Sequence, residues 1–409
     1  MNKFITLCLA AVMPAAVSAQ KCMTSQKVKE SIAAHPEMAQ KVAELEAFTQ
    51  QWIANNRAVK KTTATTRVPV VVHVLYKDAG ENVSDAQIQS EFPVLNAAYS
   101  KTNANFSNTP AAFQALAGNP DMEFCLASKD LNGNAFSGIN RVSVSSSFNG
   151  ETDYFDPNKG GVAPWDPDKY VNVYLVGLTN GNLGFTYTPG TAPAGEEGIV
   201  IDSRAWGNTG TASSNQPNDK GATACHEFGH YFNLLHIWGT SASGCSDDDG
   251  VADTPPQDGE SSGCPTYPLM DNCTATGDGI MFMNFMDYAD DACMTMFSAG
   301  QVQRMQAAIA GPRAALVTST VCGSVSVSTI TQTTARIYPN PANDRVHIRL
   351  NRPAELNVQL VNSIGMVVLQ QQISAAEVTL NTSALPAGWY FVRANGSEVN
   401  ATAKIYIAH

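Results

Sequence analysis

The pattern of apolar and polar positions divides the chain into a helical beginning, a mixed middle and a strand-rich end. Residues 24–61 repeat apolar side chains at spacings of three to six among Lys, Glu and Gln, which predicts helix. The β-branched run at 68–75 predicts a buried strand, and the alternating residues 170–178 predict another. Between them, residues 83–99 begin with Ser84 and predict a capped helix.

The end of the chain has a different composition and periodicity. Residues 313–334 are rich in Ser, Thr and Val, which predicts a linker, and a second unit then begins at Ala335. Short alternating runs separated by turns predict a small β-sandwich over 335–409. The predicted strands are 345–350, 356–361, 367–373, 378–380 and 388–392.

A third helix is predicted around residue 226, and it carries a metal-ligand pattern. His226 and His230 are four residues apart, so a helix places both on one face, with Glu227 beside them. Asn233 tolerates the left-handed conformation and can end the helix, which would bring His236 to the same ion. Three protein nitrogens leave the fourth position of a Zn²⁺ open, as in catalytic zinc sites.

A second segment, residues 284–301, supports this interpretation. A long histidine-bearing helix motif followed by a Met-containing turn is the metzincin arrangement, and Met286 fits that turn. Its thioether would pack beneath the imidazoles without binding the metal. Tyr288 could hydrogen-bond a developing oxyanion. For a Met or a Tyr considered alone, core packing is the ordinary explanation.

Together these segments resemble the pappalysin family of metzincin metallopeptidases. The resemblance covers residues 67–312 and implies an α+β zinc-peptidase domain. Asn233 stands where glycine is usual. The matching segments are HEFGHYFNLLHIWG at 226–239, CSDDDGVADTP at 245–255, GCP at 263–265, NFMDY at 284–288, VPVVVHVL at 68–75, EFCL at 123–126 and WDPDKYVN at 165–172.

Eight cysteines remain after a predicted signal peptide, and four of them lie between the zinc helix and the Met-turn. Four cysteines allow three pairings, among which spacing does not decide. The family resemblance favours Cys245 with Cys273 and Cys264 with Cys293. Three other cysteines have no obvious partners, and each is interpreted as a buried thiol: Cys125, Cys225 and Cys322.

The same loop is rich in carboxylates, which repel one another unless they are solvated or neutralised. Oxygen ligands on a loop suit Ca²⁺, and the resemblance implies structural calcium here, with Asp249 and Thr254 as the main ligands and Asp248 and Asp253 nearby. A solvated acidic loop is the alternative.

The N-terminus predicts export and latency. Lys3, an apolar run over 4–17 and Val-Ser-Ala predict a signal peptide cut after Ala19, a buried first helix being the alternative. Residues 20–61 are interpreted as a propeptide, with activation between Lys60 and Arg67. Cys22 could occupy the open zinc position until cleavage, and an unpaired terminal cysteine is the alternative.

Substrate is expected at an edge strand over 181–187, which would pair with an extended peptide above the metal. The expected contacts are Gly181, Asn182, Leu183 and Gly184. Near the Met-turn, any of three acidic residues could line a pocket for Arg or Lys: Asp287, Asp290 and Asp291.

The last residues resemble the C-terminal sorting domains of the type IX secretion system. The matching segments are IYPNPAN at 337–343, SALPAGWY at 383–390 and AKIYIA at 403–408. The resemblance implies the type IX secretion machinery as a partner and an extracellular or cell-surface location. An adhesive or carbohydrate-binding sandwich is the alternative.

Charge and hydropathy exclude other partners. A net charge of −11 argues against nucleic acid or anionic lipid, and no segment is apolar enough to span a bilayer. The sequence therefore predicts a secreted zinc endopeptidase that acts on proteins or peptides, with Glu227 as general base and acid and Tyr288 stabilising the oxyanion. The rivals are a surface protein with a structural zinc site and an adhesin.

Overall fold

The computed structural model describes residues 22–56, 65–240, 244–323, 335–362, 366–395 and 400–409. The predicted signal peptide lies outside these residues, as do residues 57–64 of the predicted activation joint and residues 324–334 of the predicted linker. The chain divides into two compact units, Met1–Gly323 and Ser324–His409.

One mixed six-stranded sheet organises the first unit. Its order is β2-β1-β4-β6-β5, with β3 also paired to β1. All pairings are parallel except that of β5, which runs antiparallel to β6 and forms an edge. The strands are β1 (Thr66–Tyr76), β2 (Met122–Leu126), β3 (Ile139–Ser143), β4 (Val171–Val176), β5 (Gly184–Thr186) and β6 (Ile199–Asp202).

Six α-helices accompany this sheet in the described residues of the first unit. They are α1 (Thr24–Ala34), α2 (Glu37–Asn56), α3 (Asp85–Tyr99), α4 (Ala111–Gln114), α5 (Ala222–Tyr231) and α6 (Ala299–Ala310). The helical pattern predicted from residue 24 is interrupted by His35 and Pro36, because proline disfavours helical geometry in the residue before it. Ser84 caps α3 as predicted, accepting a hydrogen bond from the Gln87 N–H.

The core of this unit places α5 against the sheet. Alternate side chains of β1 pack in one cluster with α3 and α5, and every residue of α5 is buried. Phe124 of β2 meets Phe228 of α5 with ring centroids 4.8 Å apart. The Tyr99 hydroxyl of α3 donates to the Cys225 carbonyl at 2.9 Å. The helix with the metal-ligand pattern therefore sits in the most constrained part of the unit.

Three disulfides fasten the irregular segments of this unit. Cys245–Cys273 and Cys264–Cys293 are the pairings that the family resemblance favours. The third, Cys125–Cys322, corrects the prediction of buried thiols at both positions. These two cysteines are 197 positions apart in sequence, and the isolated bridge of Ala127 with Cys322 brings them together in the fold. Cys225 is a buried free thiol as expected.

The second unit is all β in its described residues. Its strands are β7 (Ala335–Tyr338), β8 (Arg345–Asn362), β9 (Val367–Asn381), β10 (Gly388–Asn395) and β11 (Asn400–Ile407). The sequence predicts two short strands where β8 runs continuously, and two where β9 does. The first half of β8 pairs with β7 and the second half with β10, with a register shift against β9 between Arg349 and Ala354. Both halves contribute to one core, as a small sandwich requires.

None of the helices in the described part of the chain has the length and apolar character needed to cross a bilayer.

Candidate metal centre

Local folding around α5 brings three histidines together. His226 and His230 lie one turn apart on the helix. The helix ends at Tyr231, and Asn233 adopts the left-handed conformation with φ of 70°, as its sequence position predicts. The Leu234 N–H then bonds back to the Gly229 carbonyl, which is typical of a left-handed helix end. This turn reverses the chain and carries His236 back to the other two imidazoles.

The imidazole nitrogens of the three residues converge on one point. The Nε2 atom of His230 is 3.0 Å from that of His226 and 3.1 Å from that of His236. On the opposite side of the rings, Nδ1 of His226 lies 2.7 Å from the Phe285 carbonyl, and Nδ1 of His230 lies 2.8 Å from the Leu234 carbonyl. A carbonyl can only accept, so each Nδ1 carries the proton and each Nε2 presents a lone pair.

These facing lone pairs fit a zinc ion. Ligands at about 2.0–2.1 Å in tetrahedral geometry lie roughly 3.3 Å from one another, close to the separations between the imidazole nitrogens. Burial lowers the pKa of His230 to about 4 and also holds the pKa of His236 well below its usual value, so both are neutral ligands at pH 7. Without a cation, the lone pairs of His226 and His230, whose Nε2 atoms are 3.0 Å apart, would repel one another.

Cys22 supplies a fourth donor atom from the segment before α1. Its sulfur and one nitrogen of each histidine all lie within 4.8 Å of one another. The segment is held by backbone pairing: Cys22 forms a parallel bridge with Gly184, and the Met23 N–H donates to the Gly184 carbonyl at 3.0 Å. Burial, and then the charge of Glu227, raise the pKa of the Cys22 thiol. An ionised thiolate here would therefore need a cation beside it.

Glu227 is fully buried beside the histidines. Its Oε2 accepts a hydrogen bond from the Thr24 hydroxyl at 3.3 Å, and its Oε1 has no hydrogen-bond partner among the described residues. Burial raises the pKa of Glu227 to about 8. A Cβ at Gly184 would lie 3.0 Å from Oε1, so the edge strand approaches the carboxylate closely only because this residue is glycine.

Met286 and Tyr288 lie where the Met-turn prediction requires. Met286 is fully buried, and a Cβ added to Gly229 on α5 would come within 2.4 Å of its sulfur. The thioether therefore packs directly against the helix of the ligands. The Tyr288 hydroxyl donates to the Cys22 carbonyl at 3.0 Å and lies 3.1 Å from Nε2 of His236.

The edge strand predicted over 181–187 is shorter in the structure, where β5 spans Gly184–Thr186. Gly181 and Asn182 lie in the turn before it. A small cavity beside the histidines is lined by Leu183, Ala222, Asp291 and Met294 among others, and Asp290 does not line it.

Asp287 and Asp291, near the Met-turn, accept structural hydrogen bonds. Both oxygens of Asp287, which also borders the cavity, are bonded: Gln257 and the Ser261 hydroxyl donate to Oδ2, and the backbone of Ser261 donates to Oδ1. Asp291 Oδ2 accepts from the N–H groups of Lys220 and Ala222 at the start of α5. Asp291 therefore borders the cavity while its Oδ2 accepts hydrogen bonds from the start of α5.

The acidic loop contains one carboxylate that its surroundings do not satisfy. Asp249 is 2% exposed; its Oδ1 accepts from Thr254 at 2.8 Å, and its Oδ2 has no hydrogen-bond partner among the described residues. Burial raises its pKa to about 7. Asp248 is exposed, and the oxygens of Asp253 accept from Ser298 and Gly300 at the start of α6.

Several residues at the site carry no signal in the sequence. The carbonyls of Phe285 and Leu234 orient the imidazoles, and backbone atoms are the same at every position. Ser25 lies 3.2 Å from Nδ1 of His236, and Trp238 stacks on that imidazole with centroids 4.6 Å apart. Leu234, Phe285 and Trp238 belong to the quoted motifs, whereas Ser25 belongs to none of them.

Comparison with known proteins agrees with this geometry. The family described as pregnancy-associated plasma protein-A matches residues 161–310, and the secretion system C-terminal sorting domain matches residues 336–408. An extracellular metalloprotease of Arthroderma benhamiae is 33% identical over 60% of this chain and 72% of its own length. A second fungal relative, from Arthroderma otae, is 29% identical over 61% of this chain and 79% of its own.

Solved structures give the same result. Promirolysin of Tannerella forsythia, solved as a mutant, is 38% identical, with a TM-score of 0.66 over 73% of this chain and 97% of its own. Mature mirolysin with a cleaved peptide is 43% identical, with a TM-score of 0.60 over 62% of this chain and 96% of its own. The predicted metzincin fold and the secreted or cell-surface location are confirmed. The chain belongs to the pappalysin family of zinc metalloendopeptidases.

Proposed function

We propose that this chain hydrolyses peptide bonds of proteins with zinc held by His226, His230 and His236. The observation that carries the proposal is the convergence of three Nε2 atoms beside a buried carboxylate. Bound zinc would lower the pKa of a water molecule to about 7 and polarise the peptide carbonyl. Glu227 would take the proton of the attacking water and deliver it to the departing amine. Tyr288 would donate a hydrogen bond to the oxyanion.

The decisive experiment removes the base and retains the ligands. Glu227→Ala and Glu227→Gln should keep one zinc per chain and lose casein cleavage. Glu355→Gln, which alters an exposed carboxylate of the second unit, is the control and should retain activity. Undiminished cleavage by a zinc-loaded Glu227 variant would reject Glu227 as the general base. Cleavage that persists after a chelator has removed the metal would reject a catalytic role for zinc.

We also propose that residues 20–61 keep the enzyme latent, after removal of residues 1–19 as a signal peptide. Cys22 would be the fourth zinc ligand, and Thr24 and Ser25 contact Glu227 and His236 from the same segment. These contacts fill the place where water and substrate must bind. Cys22→Ala should give activity before processing, whereas a fully latent variant would count against the role of the thiol.

Peptide substrate would bind along β5 in the processed enzyme. The backbone of Gly184 that now pairs with Cys22 and Met23 becomes available when the pro-segment leaves. The flanking residues Gly181, Asn182 and Leu183 would contact the same peptide.

Asp291 would favour Arg or Lys next to the scissile bond. Asp291→Asn keeps an acceptor for the start of α5, so cleavage of peptides with Arg should fall at least tenfold while cleavage of Leu peptides persists. The same variant of Asp290, which lies outside the cavity, is the control. Equal losses for both substrates would contradict the assignment. A preference for basic residues would also permit self-processing between Lys60 and Arg67.

We propose one calcium ion at the acidic loop. Support comes from the unpartnered Oδ2 of the buried Asp249, with Thr254 beside it. Asp248 lies close enough in sequence to contribute from the surface. Asp253 is a weaker candidate, because both its oxygens already accept hydrogen bonds from the start of α6.

The remaining segments would direct export. Residues 62–312 would be the catalytic domain, 313–334 the linker, and 335–409 the part that the type IX secretion machinery recognises. Deleting residues 335–409 should trap an active protease inside the cell envelope. An adhesin would instead retain binding to its target after deletion of residues 62–312.

A further inference from the structure

Helix α2 packs on α6, where it meets a buried cation. Arg304 of α6 is 2% exposed, and its Nη1 and Nη2 donate to the two carboxylate oxygens of Glu46 at 2.9 and 2.8 Å. A buried guanidinium without a counter-charge is strongly unfavourable. The surface around Arg304 is therefore built to receive an acidic partner, and α2 supplies it with fork-to-fork geometry.

The same arginine reaches the turn that carries the third histidine. Its Nε donates to the Asn233 carbonyl at 3.3 Å. The side-chain amide of Asn233 donates in turn to the hydroxyl of Thr49, a fully buried residue of α2. Asn233 is the left-handed residue between His230 and His236, a conformation that disfavours most side chains. Helix α2 thus holds that residue twice, directly and through Arg304.

Release of α2 would remove hydrogen-bond partners from the side chains of both Arg304 and Asn233. Arg304 would lose its bidentate carboxylate, and Asn233 would lose the Thr49 hydroxyl. The positive charge of Arg304 also favours the ionised form of Asp249, but no hydrogen bond joins Arg304 to Asp249 among the described residues. The unpaired cation favours renewed binding of an acidic helix after the pro-segment has been cut.

We propose that the Arg304 surface is an exosite for α2, through which residues 37–56 bind the processed enzyme without Cys22 and slow zinc loss by fixing the Asn233 turn. The exosite comprises Arg304, Asn233 and the adjacent face of α6. The inference rests on the proposed zymogen. Its ligand is a segment of this chain with a carboxylate at position 46 and a hydroxyl at position 49. Cys22 blocks the catalytic centre, whereas α2 would stabilise the turn at Asn233 that positions the zinc ligand His236.

The test uses a labelled peptide of residues 37–56 and the processed, zinc-loaded Glu227→Ala enzyme, which would not degrade it. We expect saturable binding by fluorescence anisotropy. Glu46→Gln in the peptide should weaken binding at least tenfold, and Thr49→Val should weaken it less. Glu44→Gln alters an exposed carboxylate that accepts a hydrogen bond from Gln40 on the same helix, and this peptide should bind like the native one. Saturating peptide should slow zinc transfer to a chromogenic chelator at least threefold.

An isolated helix of this length is only marginally stable, so the intact zymogen provides a second measurement. Glu46→Gln in the zymogen should speed zinc transfer to the chelator while Cys22 remains in place, and Glu44→Gln should not. Absent peptide binding together with unchanged zinc transfer in the zymogen overturns the proposal. Equal binding of the native and Glu46→Gln peptides would overturn the exosite. Peptide binding that does not slow zinc loss would overturn the proposed link between the exosite and zinc retention. None of these readouts requires proteolysis, so they stand apart from the test of Glu227.

Discussion

Gly229 of the zinc helix lies close against the side chain of Met286 in the Met-turn. A Cβ on Gly229 would lie 2.4 Å from the Met286 sulfur and 3.3 Å from its methyl carbon. Both residues are buried, so the new methyl group of Gly229→Ala would have to displace the thioether by about 1 Å within a closely packed interior. The substitution therefore tests whether Met286 supports the histidines.

Two opposing effects determine how much Gly229→Ala should change the free energy of unfolding. Alanine is about 1 kcal/mol more favourable than glycine within a helix. Overpacking of a filled core costs about 1–3 kcal/mol. We expect Gly229→Ala to lower the free energy of unfolding by up to about 2 kcal/mol, and kcat/KM to fall by up to about 100-fold if the ligands shift by about 1 Å.

The sign should reverse when the sulfur is removed. In a Met286→Ala background the added methyl would keep only an ordinary contact, 3.4 Å to Cδ1 of Leu234, so Gly229→Ala should stabilise the protein by about 1 kcal/mol. Urea unfolding of the zinc-loaded protein in a Glu227→Ala background, which prevents self-digestion, measures all four corners of this double-mutant cycle. Additive effects of the two substitutions would refute the packing argument, because residues in contact must couple.

Three further predictions concern catalysis, the acidic loop and the third disulfide. Tyr288→Phe should lower kcat by about 10- to 100-fold with KM nearly unchanged, as expected for a hydrogen bond made in the transition state; an unaltered kcat would exclude this role. Burial raises the pKa of Asp249 to about 7, so without a cation the folded protein should lose stability as pH rises from about 4 through 7. Calcium should raise the melting temperature more at pH 8 than at pH 5, and Asp249→Asn should remove the difference. Replacing both Cys125 and Cys322 by Ser should lower the free energy of unfolding by about 2–4 kcal/mol in calorimetry. Replacing two buried thiols that were not bonded to each other would not produce this loss.

Short-range features were the ones that the sequence predicted well. The helical spacing of His226 and His230, the left-handed turn at Asn233 and the cap at Ser84 each depend on a few consecutive residues. The strand at 68–75 was predicted because it is buried on both faces and so appears as an uninterrupted apolar run. Local propensity and tertiary packing favour the same structure at these positions.

Features that depend on distant residues were not predicted. Cys125 and Cys322 are separated by 197 positions, and no spacing rule connects them. The pair of Glu46 and Arg304 is separated by 258 positions and consists of two residue types that usually lie on the surface. In the second unit, β8 runs through the turn predicted between 350 and 356, because the strand continues across a register shift.

X-ray absorption at the zinc edge of the intact zymogen would report the ligands of the ion itself. We expect three nitrogen ligands at about 2.0–2.1 Å and one sulfur at about 2.3 Å, with the sulfur lost after processing and the three nitrogens retained. Fewer than three nitrogens, or a spectrum that processing leaves unchanged, would contradict this expectation.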